Sequence, residues 1–203
     1  GVQLHGKTLG LVGLGRVGRL VAARALAFGM TVLAYDPYLN EDAVQNERIL
    51  LTSFNDLLSR ADFVSLHVPA TRETTGLFSA EVIGRMKAGA RLINTAQGSV
   101  VDEGALAEAL KSGALAGAAV DVYAEEPPYN SPLIALENVI HTPRIGDNTV
   151  EASQDLSTLI AEQVLDALRG DDYRNVINLP FMPGVEFETA RPYMHLAECM
   201  GAL

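Results

Sequence analysis

No run of apolar residues approaches the about eighteen that a membrane-spanning helix needs, so no membrane partner is expected. Cysteine is nearly absent: Cys199 stands alone and cannot close an intrachain disulfide, which is compatible with a reducing compartment. With no secretory leader in view, a cytoplasmic location is the expectation. Positive charge is scarce as well. Against 25 Asp and Glu there are 15 Lys and Arg, a formal charge of −10, and no basic patch offsets it. Nucleic acid and anionic membrane surfaces are therefore unfavourable partners. Low-complexity tracts and repeats of solenoid period are missing, and no metal is expected. An initiator methionine is missing too: the chain opens Gly1-Val2-Gln3-Leu4, as a processed product or partial reading frame would. None of these absences bears on small anionic ligands, which need only a local cluster of donors.

The hydrophobic residues, 48% of the 203, fall in short runs that alternate with helical patterns to about position 170. Strands are expected at 7–12, 31–35, 48–50, 63–68, 90–94, 117–122 and 139–141, with a last short one at 176–179. Helices are expected at 16–28, 41–46, 55–60 and 103–111, in a segment running to Met86, and in a long one at 149–169. Thr52 or Ser53, Ser79 and Asp102 are placed to cap three of them, and Gly29 and Gly113 to end two. Strands separated by helices predict βαβ units: an α/β fold with a doubly wound parallel sheet of Rossmann type and helices on both faces. The expected organisation is a dinucleotide-binding domain at 1–148, a returning helix and strand of an incomplete second domain at 149–180, and a linker with the start of a further segment at 181–203.

One motif carries chemistry. Gly13-Leu14-Gly15-Arg16-Val17-Gly18 follows the first strand and opens the first helix. Gly13 permits a tight turn, Gly15 lets the backbone approach a pyrophosphate, and Gly18 lets the helix pack closely on the sheet. The helix start offers unpaired N–H groups and a positive dipole end to phosphates, with Arg16 beside them. Asp36 lies eighteen residues beyond Gly18 at a strand end, where a carboxylate can bind both ribose hydroxyls and repel a 2′-phosphate. The cofactor expected is NAD. The alternative is a tight turn that binds nothing.

From Leu4 to about Ala152 the chain resembles the D-2-hydroxyacid dehydrogenases, most of all their phosphoglycerate dehydrogenase branch. The resemblance rests on Gly6-Lys7-Thr8-Leu9-Gly10, the glycine loop, Phe28-Gly29-Met30, Tyr35-Asp36-Pro37 and Asp62-Phe63-Val64-Ser65-Leu66-His67-Val68-Pro69. It continues through Ile93-Asn94-Thr95-Ala96, Val101-Asp102-Glu103-Gly104, Ala118-Ala119-Val120-Asp121-Val122 and Glu125-Glu126-Pro127-Pro128. Arg191-Pro192-Tyr193-Met194-His195 resembles the opening of the extra segment in the longer members. The resemblance implies hydride exchange between NAD and a small 2-hydroxy or 2-keto acid, a homodimer formed through the cofactor domain, and a place in serine biosynthesis. It also implies cofactor contacts: Arg16 and Val17 at the pyrophosphate, and Val68 and Pro69 near the adenosine or its ribose. The backbone around Thr95, Ala96 and Gln97 and the side chain of Asp121 would face the nicotinamide, Asp121 accepting from its carboxamide, and Arg144 and Gly146 would be further cofactor contacts. For Asp121 the alternative is a strand-end acid in solvent; for Val68 it is core packing.

Catalysis in this family takes an arginine for the substrate carboxylate, a histidine for the proton and a glutamate beside the histidine. The glutamate falls on Glu126. The arginine position holds Gln97, which lacks charge and bidentate donors, and the histidine position holds Arg144, which cannot shuttle a proton. A static Arg144–Glu126 ion pair is expected, with turnover near background; the alternatives are Glu126 as a proline-flanked turn acid and Arg144 taking over the grip on the substrate carboxylate. A substitute histidine is not in view: His5, His67 and His195 lie outside the catalytic motifs, and His141 is expected to be structural. The resemblance implies a preceding substrate half of ordinary domain size, which this chain is expected to lack. Three functions follow as hypotheses: an oxidoreductase seen as its cofactor domain, a catalytically silent NAD-binding sensor or assembly module, and, least favoured because the phosphate loop and Asp36 are intact, a structural fragment that binds no dinucleotide.

Overall fold

A computed structural model describes residues 1–44, 47–169 and 187–201. It divides into two compact units, Gly1–Gly146 and Asp147–Leu203.

The first unit is built on seven strands: β1 (Thr8–Val12), β2 (Thr31–Tyr35), β3 (Leu50–Leu51), β4 (Phe63–Leu66), β5 (Arg91–Asn94), β6 (Gly117–Val120) and β7 (Val139–His141). They lie in the order β3-β2-β1-β4-β5-β6-β7, every neighbouring pair parallel. The direction of winding reverses between β1 and β4, and in open α/β sheets such a switch point is where a crevice opens beyond the strand ends. Register makes that crevice level. Val12 pairs with both Tyr35 and Leu66, so the chain leaves β1, β2 and β4 side by side at Gly13, Asp36 and His67.

Successive strand residues point to opposite faces, and the two faces hold two cores. Leu9, Leu11, Val32 and Ala34 pack with Ala22 and Ala25 of α1 (Arg16–Ala27). On the other face Val12, Leu33, Val64, Leu66 and Leu92 pack with residues of α2 (Phe54–Arg60), α3 (Ala80–Gly84) and α4 (Glu103–Lys111). Gly10 lets α2 approach closely: a Cβ built there would lie 2.6 Å from Leu57 Cδ2. The caps read from sequence are in place. Ser53 accepts from Asp56 N at 3.2 Å, Ser79 from Val82 N at 3.5 Å, and Asp102 from Ala105 N at 2.9 Å. Each satisfies one donor that the first helical turn leaves unpaired.

Several boundaries differ from the sequence reading. The helix expected at 41–46 is a 3-10 turn, Glu41–Val44, with residues 45 and 46 outside the described residues. The strand expected at 48–50 is β3, because Arg48 at φ 53° has a left-handed backbone no strand admits. The helix expected to run to Met86 ends at Gly84, where Arg85 N and Met86 N bond three residues back to Val82 O and Ile83 O. Strands β4 and β6 stop two residues early, at Leu66 and Val120, as the chain turns into the loops that carry His67 and Asp121.

In the second unit α5 (Val150–Arg169) has no buried residue, and Leu156, Leu159, Ile160, Val164, Leu165 and Leu168 are exposed. The strand expected at 176–179, and Phe181 to Gly184, lie outside the described residues. Where only a further segment was expected, α6 (Phe187–Gly201) is helical, with Pro192 inside it.

Candidate functional site

The glycine loop separates into two kinds of glycine. Gly13 sits at φ 91°, and a Cβ there would come 2.7 Å from His67 O; one at Gly18 would come 2.5 Å from Gly13 O. Both are required by the protein's own packing. A Cβ at Gly15 would meet no protein atom within 4 Å, so the space above it is open to a ligand. Gly15 is also the N-cap of α1, which has no side-chain cap and no acid in its first turn. A helix start so arranged offers N–H donors and a positive dipole end to an anion. Arg16 and Val17 are exposed there, Val17 at 60%. These features fit a dinucleotide pyrophosphate.

Asp36, half-buried at the end of β2, is bound to this loop. Its Oδ2 accepts from Leu14 N at 3.0 Å and its Oδ1 from Tyr38 N at 3.0 Å. The carboxylate is thus fixed beside the glycine turn, where a ribose would follow a pyrophosphate. Val68 is half-buried and packs against the larger core, while Pro69 is exposed.

A second cluster forms beyond β5, β6 and β7. Asp121 is 5% exposed, which removes the alternative of a solvated strand-end acid. Its Oδ1 accepts from the Thr142 hydroxyl and from Ile145 N at 2.9 Å, and its Oδ2 from Gly146 N at 2.9 Å. Burial pushes its carboxyl up, but the hydrogen bonds from Thr142 and from the N–H groups of Ile145, Gly146 and Arg144 outweigh burial and hold it below the usual range. Gly146 packs tightly here, its built Cβ lying 3.0 Å from Asp121 Oδ2. Thr95 and Gln97 are exposed and Ala96 half-buried, in a turn held by buried Asn94. Asn94 Oδ1 accepts from Ala96 N at 3.1 Å, and its Nδ2 donates to Gln97 O at 3.0 Å. That turn presses on the β6 loop so closely that a Cβ at Gly98 would lie 1.9 Å from Tyr123 O.

The expected ion pair is present. Arg144 Nη1 donates to Glu126 Oε2 at 2.9 Å, and Glu126 Oε1 accepts from Tyr123 N at 3.4 Å. The hydrogen bond from Arg144, aided by that from Tyr123 N, holds the Glu126 carboxyl below its usual value. Arg144 adopts φ 54°. A cavity of about 550 Å³ opens here, bordered by Asp121, Tyr123, Glu126, His141, Thr142 and Arg144.

No histidine bonds to Glu126 among the described residues. His141 Nδ1 shares a hydrogen bond of 2.7 Å with the Tyr123 hydroxyl, and its Nε2 is buried without a partner. His67 Nε2 meets Ser65 Oγ at 3.0 Å, and burial lowers its pKa. His5 packs against Gly29, and His195 lies on α6 near Glu198. The described residues hold no helix long and apolar enough to cross a membrane, and no group of three or more metal-ligating side chains. Sequence reasoning gave Asn94, Thr142 and Tyr123 no part in the site. Each lies one or two residues from a residue it did name, but nothing in their type or spacing marks them.

The profile of the D-isomer specific 2-hydroxyacid dehydrogenase NAD binding domain matches residues 1–146. D-3-phosphoglycerate dehydrogenase of Methanocaldococcus jannaschii is 46% identical over 202 residues, covering 99% of this chain and 38% of its own. The enzyme of that name from Bacillus subtilis is 44% identical over 203 residues, covering 100% of this chain and 39% of its own. The chain therefore spans under two fifths of the length of these curated relatives. Among solved structures, D-lactate dehydrogenase with NAD+ from Lactobacillus jensenii superimposes with a TM-score of 0.81 at 30% identity, over 88% of this chain and 57% of that one. Matched in sequence over the whole of its first unit and in fold to such an enzyme, the chain belongs to the D-isomer specific 2-hydroxyacid dehydrogenase family, and residues 1–146 are its NAD-binding domain.

Proposed function

We propose that this chain is the cofactor-binding part of a D-3-phosphoglycerate dehydrogenase-type oxidoreductase, which holds NAD beside a small 2-hydroxy or 2-oxo acid but turns over near background by itself. The observation that carries the second half is the Arg144–Glu126 ion pair at 2.9 Å, standing where the family's resemblance calls for a histidine and its glutamate.

The backbone of Gly13, Gly15 and Gly18, with Arg16 and Val17, would receive the pyrophosphate at the start of α1. Asp36 would take the ribose hydroxyls, with Val68 and Pro69 near the adenosine. Thr95, Ala96, Gln97, Asp121, Arg144 and Gly146 would bound the nicotinamide end, Asp121 accepting from the carboxamide. Bound NAD supplies the hydride-accepting and hydride-donating ring. Among the described residues of this site, none is placed to carry a proton. Glu126 is committed to Arg144 and Tyr123 N, a guanidinium stays charged throughout the accessible pH range, and Asp121 is held ionised. Gln97 in turn offers no bidentate grip on a carboxylate.

The same ion pair favours a second reading, a silent NAD-binding sensor or assembly module. We further infer a cytoplasmic homodimer serving serine biosynthesis. Exposed Val17 and Leu20 on α1, with Phe28 directly after it, are suited to a partner copy. Residues 149–180 are read as belonging to a second domain and 181–203 as a linker and further segment.

Calorimetric titration with NADH, followed by assays with 3-phosphohydroxypyruvate and other small 2-oxo acids, tests this. NADH should bind and turnover should stay near background. A positioned histidine contributes a factor of about a hundred to ten thousand. Gln97→Arg and Arg144→His combined, with the substrate half supplied in trans, should therefore restore more than either alone. Reduction of a 2-oxo acid by the unaltered chain at ordinary enzymatic rates refutes the assignment of positions 97 and 144, and failure to bind NADH refutes both readings.

A further inference from the structure

Tyr123 touches every segment of the second cluster. Its backbone oxygen abuts Gly98, its backbone N donates to Glu126, and its hydroxyl reaches His141, 18 residues along the chain. The Tyr123 and His141 rings also stack, 6.3 Å between centroids at 21°. His141 closes β7 and immediately precedes Thr142, whose hydroxyl bonds to Asp121 Oδ1; Tyr123 follows Asp121 by two residues. The hydrogen bond of 2.7 Å between the two side chains therefore cross-links the pair of loops whose meeting point is the Asp121 carboxylate.

Apolar side chains would fill this space without leaving a polar atom stranded. The polar pair leaves His141 Nε2 buried and unpartnered, a cost that a hydrocarbon side chain would not carry. A covered Nε2 is also unavailable to a substrate, which removes a proton-transfer role for that atom. What the pair provides is geometry. Oδ1 of Asp121 takes the Thr142 hydroxyl and Ile145 N and Oδ2 takes Gly146 N, while Arg144 N bonds at 3.1 Å to the backbone oxygen of Asp121, so the acceptor position left for a further donor is on Oδ2. The direction of that last position depends on how the 121–126 and 141–146 segments are set against each other.

We propose that the Tyr123–His141 hydrogen bond is a latch that aims the remaining acceptor position of Asp121 at the nicotinamide half of the cofactor. Tyr123 and His141 are thus positioning residues for that half alone, a role that rests on Asp121 accepting from the carboxamide as proposed above. The glycine loop and Asp36, which serve the ADP-ribose half, share no hydrogen bond with the latch.

The test compares NADH with ADP-ribose, which has no nicotinamide, by calorimetry on the full 203-residue chain. Tyr123→Phe and His141→Leu should each weaken NADH by about three- to tenfold, the value of one hydrogen bond, with ADP-ribose affinity unchanged. His141→Gln, which retains an acceptor, should recover most of the NADH affinity, and the emission of bound NADH should shift in the first two variants only. Parent-like NADH binding in Tyr123→Phe and His141→Leu overturns the latch. Equal losses of NADH and ADP-ribose overturn it too, because they mark a general packing role. Asp121→Asn separates the two layers: if it leaves the NADH-to-ADP-ribose ratio unaltered, the assignment of Asp121 itself fails. If it lowers the ratio while Tyr123→Phe and His141→Leu do not, only the latch fails. Should Tyr123→Phe not fold, the two His141 variants decide.

Discussion

Replacing Asp121 by Asn changes the charge of one buried group and one of its atoms. Three donors converge on the carboxylate, from Thr142, Ile145 and Gly146. The amide oxygen of Asn can serve those on one side, but its NH2 group faces an N–H on the other. At least one hydrogen bond to a charged acceptor is lost, typically about 1.5–3 kcal/mol. Taking about 2 kcal/mol, and about 2–4 °C per kcal/mol for a protein of this size, the melting temperature should fall by about 4–8 °C at pH 7. A domain of ordinary stability, about 5–15 kcal/mol, stays folded after such a loss. The effect should depend on pH with a definite sign. The folded-state pKa of Asp121 lies below the ordinary 3.8, so its ionised form contributes stability at pH values above that, lost as pH falls through the folded value. The gap between parent and variant, followed by circular dichroism melts, should be widest above about pH 5 and narrow toward pH 3. A difference under about 1 °C at pH 7, or one independent of pH, would refute the account of how Asp121 is held.

Gly15→Ala should leave the melting temperature nearly unchanged while sharply reducing NADH affinity, because its Cβ meets no protein atom within 4 Å. Gly18→Ala, whose Cβ would lie 2.5 Å from Gly13 O, should instead destabilise by about 1–3 kcal/mol in urea unfolding; the opposite ranking would sink the distinction. Asp36→Asn keeps an acceptor for Leu14 N but drops the charge, so the preference for NADH over NADPH in paired titrations should narrow; equal affinities in the unaltered chain would void that reasoning. Sedimentation should show self-association, given exposed Leu156, Leu159, Ile160, Val164, Leu165 and Leu168 on α5, and a monomer at high concentration contradicts it.

The strand-and-helix alternation was readable because each element's signal is local. Asp102 caps α4, Gly29 at φ 73° follows α1, and alternate residues of β1 and β2 supply two opposite faces. The glycine loop was readable for the same reason, since turn, pyrophosphate approach and helix start occupy six consecutive residues. The Arg144–Glu126 pair was legible because the order of family motifs placed both residues before any coordinates did. Short elements were not. Whether residues 48–50 begin a strand is decided by Arg48 at φ 53°, and the 3-10 turn Glu41–Val44 has no period of its own.

Burial and long-range partnership belonged to the tertiary structure alone. From sequence Asp121 could be a solvated acid; folding brings Thr142, Ile145 and Gly146 around it and leaves it 5% exposed. Tyr123 and His141 have no meaning until β6 and β7 pair in parallel, which sets residues distant in sequence within 2.7 Å of each other. The contrast between Gly15, open to a ligand, and Gly18, required by Gly13, is likewise invisible in a motif that treats both alike. Local residue types determine where the backbone can turn and which residues face a core. Which polar groups end up sharing a hydrogen bond depends on strand order, and that is settled only when the sheet closes.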